Sequence, residues 1–233
     1  MMNPWDKIFI DDFHTAWDNA NSNYLKTQSD IDLRARGVSS ILLNDYKSAL
    51  DDFLVIKENE KLNKSQGDDT YWYVGLCYYA LGDIEESIEY FKFPVTNLKE
   101  IKYTSGISYH ASLLYYLAVK LKRADLLKIS INKLQRQSTL TIPMFLLGNI
   151  SEAHLDQLYK NESNETLRNR NQCKIEFYKA AAELAKGNLT RYYDHINNCV
   201  KLKGKYLEFE YYMAKVEHDG KKHPLTSAIG NGG

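Results

Sequence analysis

Three stretches of this chain repeat one local pattern, and that repetition limits the fold more than composition does. Leu42 to Ile56 (LLNDYKSALDDFLVI), Ala80 to Pro94 (ALGDIEESIEYFKFP) and Leu184 to Cys199 (LAKGNLTRYYDHINNC) each end one apolar-periodic helix and begin another. The steps between are Asn44-Asp45, Gly82-Asp83 and Gly187-Asn188. The first residue of each pair tolerates the left-handed backbone that closes a helix. The second offers an oxygen to the free N–H groups opening the next. Asp83 with Glu86 also has capping-box spacing. The pattern predicts helical hairpins, each burying its apolar face against its neighbours.

The second hairpin carries Tyr71, Val74, Gly75 and Tyr78 on its first helix and Ser87 and Phe91 on its second. This resembles the tetratricopeptide repeat (TPR), W-x₂-L-G-x₂-Y followed by A-x₃-F and Pro. Gly37, Tyr46, Ala49 and Phe53 stand at corresponding places in the first hairpin. In this reading the small glycine lets two helices approach, Phe91 plugs the hairpin, and Tyr78 fills the space between repeats. The departures are Tyr71 for Trp, Ser87 for Ala, a displaced Pro94, and a step from Gly37 to Gly75 that is longer than the TPR period, placing an insertion in Asn59 to Asp69. The LGNISE segment from Leu147 also resembles a linker in some bacterial TPR proteins, including an outer-membrane lipoprotein type; no signal sequence or lipobox cysteine accompanies it here.

The expected fold is all-α, a right-handed α-α superhelix of about four hairpins with terminal capping helices. Residues 1–219 would form this single solenoid, with units near 30–58, 68–97, 104–136 and 165–202. A linker and extra helix would fill 137–164, a capping helix would run from Tyr206 to Val216, and 220–233 would be a mobile tail. The third unit is degenerate: its turn is Lys122-Arg123-Ala124-Asp125, and Tyr115 falls at the small position. At the front, Ile10, Phe13, Trp17 and Tyr24 fall on one helical face, either capping the solenoid or entering its groove as an arm.

The resemblance implies a concave face lined by first helices, where residues three before, one after and four after the small position share a stripe. These are Arg34, Val38 and Ile41, then Trp72, Leu76 and Tyr79, then Ser112, Tyr116 and Val119. With 18 tyrosines in the chain, such a groove has the side chains of binding hot spots if exposed. Under a covering terminal helix the same residues would be core. The peptide-carboxylate clamp of chaperone-binding TPR proteins does not carry over, because Val38 and Tyr73 stand where that clamp uses asparagines.

No phosphate-binding glycine loop or H-E-x-x-H motif occurs, and six scattered histidines show no metal-ligand spacing. Asp51-Asp52, Asp68-Asp69 and Glu85-Glu86 are better explained by helix faces and first turns than as catalytic pairs. Three widely spaced cysteines, Cys77, Cys173 and Cys199, argue against a disulfide framework or a zinc site. Each falls within a predicted helix, as buried small hydrophobes do. Neutral net charge conceals −8 over residues 1–100 and +8 over 101–233, an asymmetry that bears on association. The basic clusters Lys120-Lys122-Arg123, Arg168-Arg170, Lys201-Lys203-Lys205 and Lys221-Lys222 allow nucleic acid as a partner but fit helix-end solvation better.

The expectation is a cytoplasmic, non-membrane, non-catalytic module without cofactor or metal that binds a protein or peptide as an adaptor or scaffold. A toxin-neutralising protein of the immunity type is the first alternative. A nucleic-acid binder or enzyme on a helical-repeat scaffold is the second.

Overall fold

The computed structural model describes residues 3–63, 68–97, 107–137, 139–160, 162–202 and 208–220. Among them thirteen α-helices occur and no strand. The chain divides into two compact units, Met1–His110 and Ala111–Gly233. Unit 1 holds α1 (Pro4–Ile8), α2 (Phe13–Thr27), α3 (Asp30–Leu42), α4 (Tyr46–Leu62), α5 (Asp68–Leu81) and α6 (Ile84–Thr96). The division falls inside α7 (Ile107–Lys120). Unit 2 continues with α8 (Ala124–Gln135), α9 (Thr141–Leu146), α10 (Glu152–Lys160), α11 (Glu165–Ala185), α12 (Leu189–Lys201) and α13 (Phe209–Gly220).

The pattern recognised at three turns recurs at six. Asp11, Asn44, Gly82, Lys122, Gly148 and Gly187 all have positive φ, between 55° and 89°. The N–H of the following residue reaches back five positions at each, as in Asp45 to Ser40 O (2.8 Å), Asp83 to Tyr78 O (2.9 Å) and Asn188 to Glu183 O (2.9 Å). Asp12 to Lys7 O, Arg123 to Ala118 O and Asn149 to Met144 O repeat the geometry. This is the Schellman closure, which satisfies carbonyls left free at a helix end. The next helix is capped by a side chain where the residue allows it. Asp45 accepts from Ser48 N at 3.1 Å, Asn188 from Arg191 N at 3.3 Å and Asp12 from Thr15 N at 3.4 Å. Asp83 departs from the capping-box expectation: it holds the N-cap position without a side-chain cap bond.

In unit 1 consecutive helices from α1 to α6 pack on one another, α2 on α3, α3 on α4, α4 on α5 and α5 on α6. The two hairpins α3–α4 and α5–α6 are built on the same contact. A Cβ on Gly37 would lie 2.9 Å from Phe53 ring carbons, and one on Gly75 would lie 3.1 Å from Phe91 ring carbons. Ser87 Oγ donates to the Gly75 carbonyl at 2.9 Å, tightening the second hairpin where alanine was expected. Phe53 also stacks on Tyr73 of α5, with centroids 4.4 Å apart and planes 5° apart, which joins one hairpin to the next. Tyr78 is half-buried against Tyr90 of its own hairpin (5.5 Å).

One expectation changes at the front of the chain. Ile10 sits in the turn after α1 and is exposed, so the stripe Ile10, Phe13, Trp17 and Tyr24 is not one buried face. Ala16, Ala20 and Asn23 are the buried residues of α2 instead. Trp17 and Tyr24 flank them, with Trp17 Nε1 donating to Ser40 Oγ at 3.0 Å and Tyr24 stacked under Arg36. The expected insertion after the first hairpin partly lengthens α4, which runs to Leu62.

In unit 2, α11 is the central element, packed against α9, α10, α12 and α13. Its 21 residues are buried on most of one side, including Phe177, Tyr178, Ala180 and Ala181. The capping helix expected from Tyr206 is α13, whose described residues begin after it. Tyr206 and the expected mobile tail beyond Gly220 lie outside the described residues.

Candidate functional site

Seven of the nine residues predicted to line a groove are buried: Val38, Ile41, Trp72, Leu76, Tyr79, Ser112 and Tyr116. Arg34 and Val119 are half-buried. The expectation that Trp72, Tyr79 and Tyr116 stand exposed is therefore corrected; they are 1%, 7% and 0% accessible. The tyrosine excess goes largely into the interior, where Tyr71, Tyr73, Tyr178, Tyr192, Tyr211 and Tyr212 are also buried. Tyrosine suits that role because its ring fills volume while its hydroxyl still finds a partner.

Three stripe residues with polar side-chain atoms, Arg34, Trp72 and Tyr116, bond within the protein. Trp72 packs edge-on against Phe91 at 4.9 Å, and its Nε1 donates to His110 Nδ1 at 2.6 Å. Arg34 Nη1 donates to Asp69 at 2.8 Å, and its Nη2 donates to Glu60 at 3.2 Å and Thr70 Oγ1 at 3.0 Å. One guanidinium thereby ties α3 to α4 and α5. A second cation, Arg36, makes a two-pronged bond to the buried Asp52, at 3.0 and 2.6 Å. Burial pushes the Asp52 carboxyl above its ordinary range, against the lowering pull of Arg36. Of the acidic pairs, Asp51-Asp52 splits between solvent and core, while Glu85 and Glu86 are both exposed on the first turn of α6.

In unit 2 the Tyr116 and Tyr192 hydroxyls lie 3.0 Å apart, and Tyr192 donates to Glu217 Oε2 at 2.9 Å. Lys120 Nζ donates to the same carboxylate oxygen at 2.6 Å and lies over the Tyr192 ring. Burial, then the Glu217 charge, push the Tyr192 phenol far above its ordinary range. These four side chains from α7, α12 and α13 form one polar chain within an apolar setting.

A larger ionic seam runs along α10, α11 and α12, and it was invisible in the sequence. Glu176 Oε2 accepts from His195 Nδ1 at 2.8 Å and from Asn198 Nδ2 at 3.1 Å. Lys179, almost wholly buried, reaches Asp156 at 2.7 Å and Glu152 at 3.4 Å. Arg191 bridges Glu152 at 3.0 Å and Glu183 at 3.4 Å. Burial alone would raise the Glu176 carboxyl, but the bonds from His195 and Asn198 and the Lys179 charge hold it below its ordinary value. Glu183 is likewise held low, first by its hydrogen bond from Lys186. The seam has the residue types of acid–base chemistry, yet its acids and cations neutralise one another across the helix contacts. Its immediate work is to fix α10 and α12 on α11.

Several cations of the basic clusters are committed. Lys120 pairs with Glu217, Arg123 with Asp125, and Arg170 and Lys174 with the buried Glu208. Lys201 is exposed, whereas Lys203, Lys205, Lys221 and Lys222 lie outside the described residues. All three cysteines are buried as expected. Cys173 and Cys199 nevertheless face each other, their sulfurs 2.9 Å apart. Among the described residues no group of His, Cys, Asp and Glu side chains forms a metal-binding cluster, and no helix is long and apolar enough to cross a membrane. No protein-family model matches the chain, and no curated protein matches it significantly.

Proposed function

We propose that this chain is a non-catalytic protein-binding module, a TPR-like right-handed superhelix of helical hairpins serving as an adaptor or scaffold. One observation carries the reading: α3–α4 and α5–α6 repeat the same glycine-under-phenylalanine contact and the same Schellman closure. Repetition of a packing device is the mark of helical-repeat architectures, whose common use is to present an extended surface to another protein. The internal pairing of Arg34, Arg36, Lys120 and Lys179 supports a structural rather than catalytic use of these charges.

On this reading the first helices supply the binding side. In unit 1 Val38, Ile41, Trp72, Leu76 and Tyr79 are buried beneath it and Arg34 is half-buried; in unit 2 Ser112 and Tyr116 are buried and Val119 is half-buried. Affinity capture from cells of the native source with the tagged full chain, followed by mass spectrometry, tests it. The expected result is a reproducible protein partner whose binding is weakened at least tenfold by Val119→Glu with helical content retained. An enzyme partner that loses activity in the complex would specify a neutralising role. Capture of nucleic acid with no protein partner would overturn the reading.

A further inference from the structure

We propose that Cys173 and Cys199 form a reversible disulfide that staples α11 to α12. The two thiols come from facing positions of an antiparallel hairpin, 26 residues apart in sequence, and their sulfurs are 2.9 Å apart. A disulfide needs about 2.05 Å between sulfurs and Cβ atoms about 3.5–4.5 Å apart. Less than 1 Å of sulfur movement separates the thiols from bonding distance, within reach of small side-chain rotations. The helix contact that brings them together is independently fixed by the Glu176–His195 and Glu183–Arg191 pairs along the same two helices. Cys77 lies on α5, outside this hairpin.

The oxidant is a small-molecule disulfide. In the first exchange the thiolate of one cysteine attacks a sulfur of that disulfide, forming a mixed disulfide and expelling one small thiolate. In the second, the other cysteine's thiolate attacks the protein-bound sulfur, forming the Cys173–Cys199 bond and expelling the second small thiolate. Both protein protons end on the two released thiols, and the two electrons lost by the protein reduce the small disulfide. Burial, then the contact with Cys199, push the Cys173 thiol well above its ordinary value, and neither sulfur touches solvent. The closed hairpin thus withholds the thiolate, and exchange proceeds through local opening of α11–α12. Once formed, the bond is shielded by the same packing and is slow to be reduced.

The test uses the full chain incubated with oxidised glutathione in urea concentrations below the unfolding transition. Acid quenching, denaturation, alkylation with N-ethylmaleimide and intact mass spectrometry then count free thiols. The expected product has lost two hydrogens and takes one maleimide, at Cys77, while dithiothreitol restores all three thiols. Its rate of formation should rise with urea, and its urea midpoint should exceed that of the reduced chain. Cys77→Ser should form the same product with no maleimide, and Cys173→Ser should lose the reductant-dependent midpoint shift. Three maleimides on the wild-type chain, a persistent glutathione adduct at Cys173 or Cys199, or a bond involving Cys77 would overturn the proposal.

Discussion

Adding one methyl group at Gly37 sets helix propensity against packing, and the structure decides the sign. Glycine to alanine inside a helix gains about 1 kcal/mol from propensity alone. At Gly37 the new Cβ would lie 2.9 Å from Phe53 Cε2 and Cζ, both side-chain ring atoms. Carbon atoms settle at about 3.5 Å or more, so the ring must retreat by roughly 0.6 Å. Phe53 is wholly buried and its ring stacks on Tyr73 at 4.4 Å, so it has little room to retreat. Overpacking of this kind costs about 1–3 kcal/mol, leaving Gly37→Ala destabilised by about 0–2 kcal/mol after the propensity gain. Gly75→Ala meets Phe91 at 3.1 Å, and Phe91 is met edge-on by Trp72 rather than sandwiched. Its smaller shift should leave stability within about 1 kcal/mol of wild type. Urea unfolding followed by far-UV circular dichroism measures both. Phe53→Leu combined with Gly37→Ala should cost less than the sum of the two single changes, since the ring causes the clash. A Gly37→Ala protein more stable than wild type by about 1 kcal/mol, or strict additivity with Phe53→Leu, would refute the interlock.

Trp72→Ala and Tyr116→Ala should each cost about 3–5 kcal/mol of stability, read as a large fall in urea midpoint; near-wild-type midpoints would restore them as surface anchors. Glu176 is held below its ordinary value of 4.5, so its contribution is fully present above that pH and is lost as pH falls through the lower folded value. The stability difference between wild type and Glu176→Gln should therefore shrink as pH drops below about 4.5, and a difference constant from pH 6 to pH 3 would contradict the pairing. Lys120→Met leaves the buried Glu217 carboxylate without its 2.6 Å bond and should cost up to about 3 kcal/mol, checked by thermal melts against Tyr192→Phe. If the basic C-terminal half steers an acidic partner, Lys201→Glu should slow association more than it speeds dissociation, and added salt should mimic it; a flat salt dependence in stopped-flow mixing would make the asymmetry incidental.

The helical class and the turns at Asn44, Gly82 and Gly187 were legible because a helix end is a local event. Left-handed backbone and the capping oxygen belong to adjacent residues, and both are written in residue type. At Lys122 the turn was read but not its left-handed closure, which a lysine does not announce; the closure at Asp11 was not read, and at Gly148 it lay in a segment read as a linker. The glycine–phenylalanine pairs were readable only through the resemblance to the TPR pattern, which sets a small residue on the first helix against an aromatic plug on the second. Periodicity identified Val38, Trp72 and Tyr116 as members of faces without saying what covers them. Burial of Trp72 depends on Phe91, Tyr109 and His110, and burial of Tyr116 on Phe177 and Tyr192, all contributed by other turns of chain. The meetings of Glu176 with His195 and of Cys173 with Cys199 arise from the register of α11 against α12. That register is set by many apolar contacts acting together, so the all-helical class could be read along the chain while the pairing of its ionisable and sulfur groups awaited tertiary packing.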